Sequence, residues 1–241
     1  MSAADIQAIG LSLRVAVLTV LIATPVSVVL ASLMARTHWH GKWLLDTLIL
    51  LPMGLPPAVI GFALLVGLGA EGALGAWLQA SLGWHLSFYP SGAVLAACLM
   101  TVPLMVRLLR PAFEATDPML LPVARSLGAS RWQAWRTVSL PMAAPAVASA
   151  MALGLAAAWG ESGATLVLAA ALQGPAATEP TAPVALVRAL QQPGGMATAW
   201  HLAGASLGVA LLAVAASEWA RARWRRIWQT RLQQPAAALR P

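Results

Sequence analysis

Five stretches without Asp, Glu, Lys or Arg, each about as long as a membrane-crossing helix, constrain this sequence more than any other feature. A helix needs about 20 apolar residues to cross roughly 30 Å of hydrocarbon. We therefore predict an all-α, polytopic membrane protein with about five transmembrane helices, formed by one membrane domain over 1–241. The predicted spans cover about 15–35, 47–70, 88–106, 137–160 and 197–217.

Composition supports lipid as the solvent. The chain is 59% hydrophobic and only 10% charged, whereas a soluble domain carries about 25% charged residues. The net charge of +7 raises the possibility of nucleic-acid binding. That class is rejected, because the arginines cluster at the ends of the apolar stretches, where membrane topology places them.

The basic residues also predict an orientation. With five spans, the termini lie on opposite sides of the membrane. If the N-terminus faces out, every basic residue except Arg14 and Arg188 falls in an inner segment, as the positive-inside rule requires. The C-terminus is then inside. In the outer connection at 173–199, the apolar stretch 182–190 is too short to span, so we predict a re-entrant or interfacial helix there.

The basic loop at about 117–136 carries strong helix-capping signals. Asp117-Pro118 is typical of a helix start, and Gly128 suits the left-handed position that ends a helix. Ser130 and Gln133 have the spacing of a capping box for a second helix. The pattern predicts two short helices joined by a tight turn at the inner surface. Pro122 requires the first helix either to kink or to begin there.

This loop resembles the cytoplasmic loop of ABC importer permeases. Ala124, Gly128, Val138 and Leu140-Pro141 match the family pattern at its spacing. Pro122 and Val123 depart from it, where the family has glutamate and alanine. The chain is most similar to the molybdate permease branch, on residues 51–61, 103–107, 160–165 and 192–195.

The resemblance implies a permease subunit of an ATP-driven importer in a bacterial inner membrane. It implies a homodimer, two copies of a separate ATPase that hold ATP and Mg, and an extracytoplasmic oxyanion-binding protein. It also implies that the loop docks the ATPase. The expected docking residues are Val123, Ala124, Leu127, Gly128, Ala129, Val138, Leu140 and Pro141. The sequence contains no Gly-x-x-x-x-Gly-Lys-Ser/Thr phosphate loop, and Lys42 is its only lysine. We expect no catalytic residue, cofactor or metal in this chain.

Five further residues are candidates for the substrate pathway or a gate: Pro56, Pro57, Glu161, Ser162 and Thr165. Pro56 and Pro57 interrupt the second span, either as a packed kink or as part of a cavity lining. Glu161 is an ionisable group at the end of a long apolar stretch, which suggests function. Because a fixed negative charge would repel an oxyanion, a hydrogen-bonded role at a helix break is favoured over direct substrate binding. An interfacial carboxylate facing water is the alternative.

Three other functions compete with molybdate import. A sulfate, thiosulfate or tungstate permease would share most of these features. A stand-alone secondary transporter would be expected to show inverted repeats or paired intramembrane charges, and neither is clear here. A membrane-embedded enzyme would need a cluster of catalytic side chains, which Glu161 alone does not provide.

Overall fold

The computed structural model describes residues 1–36, 40–69, 72–82, 91–171 and 180–237. The beginning of the third predicted span at 88–90, residue 70 of the second and residues 173–179 of the outer connection lie outside this set. The described residues are helical and contain no strand, which confirms the all-α prediction. In chain order the helices are α1 (Ala3–Arg36), α2 (Lys42–Gly54), α3 (Pro57–Leu68), α4 (Ala73–Leu82), α5 (Ala93–Glu114), α6 (Leu120–Ser126), α7 (Arg131–Ala134), a π-helical turn (Trp135–Ser139), α8 (Leu140–Gly160), α9 (Gly163–Ala171), α10 (Ala182–Leu190) and α11 (Met196–Ala237).

Within the described residues, four helical segments are long and apolar enough to cross a membrane, and a fifth span arises if the bent pair α2 and α3 is counted as one. Three of the helices extend beyond the predicted spans. Helix α1 begins at Ala3, before the first predicted span. Helix α5 runs on to Glu114, and α11 continues to Ala237 instead of ending at 217. The arginine-rich segment after the last span is therefore helical, because alanine, arginine and glutamine are strong helix formers.

Helices α1, α5 and α8 pack together as the centre of the bundle. Near one end, Met34, Met105 and Phe113 form a buried core. Near the other end, Trp159 packs with Leu202, and its indole N–H donates to Ser206 Oγ at 3.2 Å. Many of the remaining buried positions are alanine, serine or threonine. Small residues of this kind allow membrane helices to approach closely.

The exposed surface of the bundle is more apolar than a soluble protein would allow. Leu21, Leu211 and Leu212 are 60–73% exposed, whereas Thr19 and Thr101 are fully buried. This inside-out distribution is expected when lipid is the solvent, because leucine gains nothing from leaving hydrocarbon.

Helix α10 occupies the same residues as the predicted short helix. Its first backbone N–H, that of Ala182, donates to Ser12 Oγ at 2.6 Å, and the helix packs against α11 and α1. Since α10 has only nine residues, it lies against the bundle without spanning it.

Candidate functional site

The loop between α5 and α8 folds largely as its capping signals predict. The Asp117 carboxylate accepts a hydrogen bond from Met119 N at 2.8 Å, but α6 begins at Leu120, slightly later than the Asp117-Pro118 signal suggested. Pro122 therefore falls in the first turn of α6, where backbone N–H groups have no partner within the helix. The proline removes no hydrogen bond there, so the helix begins near it and does not kink.

Gly128 ends α6 in the left-handed conformation, with φ at +95°. Ala129 N donates to Ala124 O at 3.1 Å, and Gly128 N donates to Arg125 O at 3.0 Å. This pair of bonds is the Schellman arrangement that closes a helix. The residue that follows the turn then begins the next helix, because Ser130 and Gln133 form both bonds of a capping box. Hydrogen bonds within the loop, from both backbone and side chains, thus define its turn and the start of its second helix.

The predicted docking residues divide into two groups. Val123, Leu127, Gly128 and Pro141 are exposed, and Leu127 is 83% exposed. Ala124, Ala129, Val138 and Leu140 are half-buried, and Leu140 packs against the core near Met105. The first group can meet a partner, and the second attaches the loop to the bundle.

Three large exposed apolar residues of the loop, Met119, Leu120 and Trp132, were not among the predicted docking residues. Met119 is 64% exposed and Trp132 is 62% exposed. The Trp132 ring stacks on Trp135 with centroids 4.8 Å apart, which holds it in place at the surface. A tryptophan between two spans is typical of the membrane interface. The sequence alone therefore could not show whether Trp132 faces lipid or a protein partner. Val123 and Leu127 follow Met119 at intervals of four residues, which places the three on one helix face. With Trp132 they are the exposed apolar patch of the loop, and exposed apolar patches mark protein or membrane contacts.

The loop joins α8 through the π-helical turn. The turn shows the wider hydrogen bond of this helix type, from Leu140 N to Trp135 O. Such turns are frequent at functional positions. Ser139 is fully buried here and accepts a hydrogen bond from Arg36 Nη2 at the end of α1. The end of α1 is therefore tied to the junction between the loop and α8.

The predicted pathway residues lie at two helix breaks. Helices α2 and α3 meet at an angle of 104° around Leu55 and Pro56, and α3 begins at Pro57. The second break lies at the predicted end of the fourth span, and a further helix follows it. Helix α8 stops at Gly160, Glu161 is extended, and α9 begins at Gly163. The sequence predicted the first break, but it did not predict that a helix follows the second.

The two breaks pack directly against each other. A Cβ added at Gly163 would lie 2.5 Å from Pro57 Cβ, and one added at Gly61 would lie 2.6 Å from Ala164 O. Helices α3 and α9 therefore touch backbone to backbone near their N-terminal ends. Four of the candidates, Pro57, Glu161, Ser162 and Thr165, lie in or beside this contact, and Pro56 directly precedes it.

Glu161 is half-buried and forms part of the break itself. Its Oε1 accepts from Ala164 N at 2.8 Å, and Thr165 Oγ1 donates to the Glu161 carbonyl at 3.2 Å. Thr165 is 1% exposed. These contacts are local to the α9 terminus, and the role of Glu161 in transport stays a prediction.

Comparison with known proteins shows which family this sequence is similar to. The model of the family described as binding-protein-dependent transport system inner membrane component matches residues 27–226. The molybdenum transport system permease protein of Escherichia coli K12 is 40% identical over 213 residues, which cover 88% of this chain and 92% of that protein. The corresponding protein of Haemophilus influenzae is 37% identical, with 89% and 93% covered. A molybdate/tungstate permease of Thermococcus kodakarensis is 37% identical, with 68% of this chain and 61% of that protein covered.

Solved structures show the same fold. A bacterial alginate ABC transporter in complex with a periplasmic protein contains a chain that superposes with a TM-score of 0.69 at 20% identity, with 94% of this chain and 80% of that one covered. An amino acid ABC transporter gives a TM-score of 0.57 at 18% identity, with 92% and 94% covered. This chain belongs to the family of binding-protein-dependent transport system inner membrane components, and it is a multi-pass membrane permease.

Proposed function

We propose that this chain is the permease subunit of an ATP-driven importer that moves molybdate across the cytoplasmic membrane. The observation that carries this proposal is the match, along nearly the full length of both chains, to two proteins named as molybdenum transport permeases. Tungstate is the second candidate substrate, because the relative from Thermococcus kodakarensis is named for both oxyanions.

A separate pair of ATPase subunits drives transport. This pair binds ATP and Mg and docks on the loop. Its binding surface is the apolar patch of Met119, Val123, Leu127 and Trp132. Two features support this assignment. The patch is carried by a loop whose turn and second helix are held by internal hydrogen bonds, and preorganised surfaces lose less entropy on binding. The sequence also lacks a phosphate loop of its own.

The N-terminus lies outside and the C-terminus inside. The contact between Arg36 and Ser139 puts the end of α1 at the same end of the bundle as the docking loop. The contact of Ser12 with Ala182, and the approach of His201 Nδ1 to Asp5 Oδ2 at 3.5 Å, bring together groups at the opposite end. With the loop inside, nearly all basic residues are inside as well, as the positive-inside rule requires.

A homodimer supplies the pathway, and an extracytoplasmic oxyanion-binding protein delivers the substrate to it. Helix α2 buries none of its residues, and α3 buries only Ile60 and Gly61. Leu48, Phe62 and Val66 are 56–63% exposed on these two helices. A second copy facing α2 and α3 would cover part of this surface and would enclose the contact between α3 and α9 at the centre of the assembly.

Alternating access then follows from how the parts are connected. Closure of the ATPase pair displaces the docking loop, and the π-helical turn passes that displacement to α8. Helix α8 ends at Glu161, so its movement reaches α9 and, through the close contact at Gly61 and Ala164, helix α3. Helix α8 thus links the loop to the break before α9, and the packing of α9 on α3 links that break to the one between α2 and α3.

The test is oxyanion uptake into vesicles that contain this chain, its ATPase and its binding protein. We expect ATP-dependent molybdate uptake that tungstate reduces and that excess sulfate leaves unchanged. Matched vesicles lacking the ATPase should show no uptake. Uptake of sulfate in place of molybdate would change the assigned substrate to sulfate and leave the assignment as an importer permease in place. Molybdate uptake without any ATPase would overturn the proposal in favour of a secondary transporter.

A further inference from the structure

A cavity of ≈ 550 Å³ lies at the inner end of the bundle, between the docking loop and the ends of α1, α2 and α5. Its lining includes Arg36, Lys42, Phe113, Glu114 and Leu121. The volume is many times the roughly 30 Å³ that one water molecule occupies in the liquid. It is separate from the contact between α3 and α9. Leu121 belongs to the predicted docking loop, but no residue of the lining was among the individually predicted docking or pathway residues.

Within the described part of the chain, the cationic groups of this cavity form no ion pair, whereas its carboxylate pairs with Arg110. Glu114 Oε1 accepts from Arg110 Nε at 2.6 Å, and Arg110 also binds Asp46 at 3.1 Å. Among the described residues, neither Arg36 nor Lys42 forms a salt bridge. Two cations that form no ion pair among the described residues therefore line one cavity, together with a single carboxylate, Glu114, that is bonded to Arg110.

Arg36 also has an unused hydrogen-bond donor. Its Nη2 donates to Ser139, but its Nε is buried and has no partner among the described residues. A buried donor on a charged group that binds nothing is costly. An acceptor oxygen supplied by a ligand would remove this cost, and arginine geometry suits phosphate oxygens well.

The position and the walls of the cavity favour a lipid as the source of that oxygen. Trp43, next to Lys42, is 67% exposed, and exposed tryptophans at span ends lie at the level of lipid headgroups. Phe113 and Leu121 make part of the lining apolar. Basic pockets between membrane helices on the cytoplasmic side are typical binding sites for anionic headgroups.

We propose that this inner-end cavity binds a phosphate group through Arg36 and Lys42, carried either by an anionic lipid headgroup or by free phosphate. A bound phosphate would join α1 and α2 to the docking loop, because Arg36 contacts Ser139 at the loop junction and Leu121 belongs to α6. The site concerns lipid or phosphate and is independent of which oxyanion is transported.

The experiment uses the assembled transporter, purified with its ATPase and stripped of lipid. Native mass spectrometry measures binding of phosphatidylglycerol and of a phosphate-free glycolipid, and equilibrium dialysis measures radiolabelled inorganic phosphate. The variants are Arg36→Gln and Lys42→Gln, with Arg14→Gln as the matched control, since Arg14 is an exposed arginine toward the other end of α1. Lys42→Gln guards against misfolding, because the Lys42 side chain makes no hydrogen bond or salt bridge with described residues.

For a lipid source, we expect phosphatidylglycerol affinity to fall about tenfold or more in Arg36→Gln and Lys42→Gln, as loss of a charge-assisted bond implies. Arg14→Gln should bind as the wild type does, and glycolipid binding should be equal in all forms. For a free-phosphate source, the same two variants should lose phosphate and keep wild-type lipid binding. The proposal is wrong if neither probe separates these two variants from the wild type and from Arg14→Gln.

Discussion

The turn at Gly128 allows the docking hypothesis to be tested with one small change. Gly128 has φ at +95°, and a Cβ added there would meet nothing within 4 Å. Gly128→Ala therefore introduces no clash, and its effect comes from backbone conformation alone. Holding an L-residue in the left-handed region costs roughly 1–2 kcal/mol. That free energy corresponds to roughly a 5- to 30-fold smaller share of loops in the docking shape.

The assay titrates purified ATPase against this permease held in lipid nanodiscs and measures the dissociation constant. We expect Gly128→Ala to weaken binding by roughly the same 5- to 30-fold. Gly194→Ala is the matched control, because Gly194 also has positive φ, at +79°, and also has open space around its Cβ. It lies in the turn between α10 and α11, so ATPase binding should not change.

Gly128→Asn separates backbone strain from a steric effect on the partner. Asparagine tolerates the left-handed region better than alanine does, so a strain mechanism predicts that Asn weakens binding less than Ala. A steric mechanism predicts the opposite order, because Asn is larger. If Gly128→Ala and Gly194→Ala bound the ATPase equally well, the pre-formed turn would have no role in docking.

Three further predictions concern the exposed patch and the two breaks. Leu127→Ser should weaken ATPase binding and leave the melting temperature unchanged. Leu190→Ser, at an exposed leucine of α10, should change neither quantity. Equal ATPase binding by the two variants would contradict the assignment of the patch as the docking surface. Gly61→Ala should lower the melting temperature, because the new Cβ would lie 2.6 Å from a backbone oxygen and overpacking costs about 1–3 kcal/mol. Gly67→Ala on the same helix adds its Cβ to open space, so it should leave the melting temperature unchanged. Glu161→Ala should lower uptake and stability, because the hydrogen bond at the start of α9 is worth about 1 kcal/mol. Glu161→Gln should retain most of the uptake and stability, because its amide oxygen can still accept the hydrogen bond from Ala164 N. A Gln variant as impaired as the Ala variant would show that the charge itself is required.

Local chemistry explains which parts of the fold could be predicted. The Schellman turn at Gly128, the capping box at Ser130 and the short helix α10 depend on residues within one or two helical turns, and each is visible in sequence. The break at Pro56 is local for the same reason. By contrast, α4 (Ala73–Leu82) was not predicted, because its apolar sequence beside a long span has no distinct capping signal.

Contacts between distant segments could not be predicted in this way. Arg36 was assigned to topology alone, and its bond to Ser139 joins residues on two different spans. Trp132 suggested a lipid neighbour, although its stacking on Trp135 presents it on the docking loop. In both cases the residue type permits several neighbours, and only the packing of the helices selects one. The contact of Gly61 with Ala164 is of the same kind, since a glycine or an alanine within an apolar helix is compatible with many neighbours.

The two breaks meet the same physical requirement by different chemistry. A helix that begins within the membrane exposes N–H groups that lipid cannot satisfy. Helix α3 begins with Pro57, which has no N–H to satisfy at the first position. Helix α9 begins at Gly163, and there the Glu161 carboxylate accepts from Ala164 N at 2.8 Å. Glycine at 163 is required because Pro57 occupies the space that a side chain would fill. The proline that begins one helix therefore dictates the glycine of the other, and Glu161 supplies an acceptor for the N–H of the residue that follows this glycine.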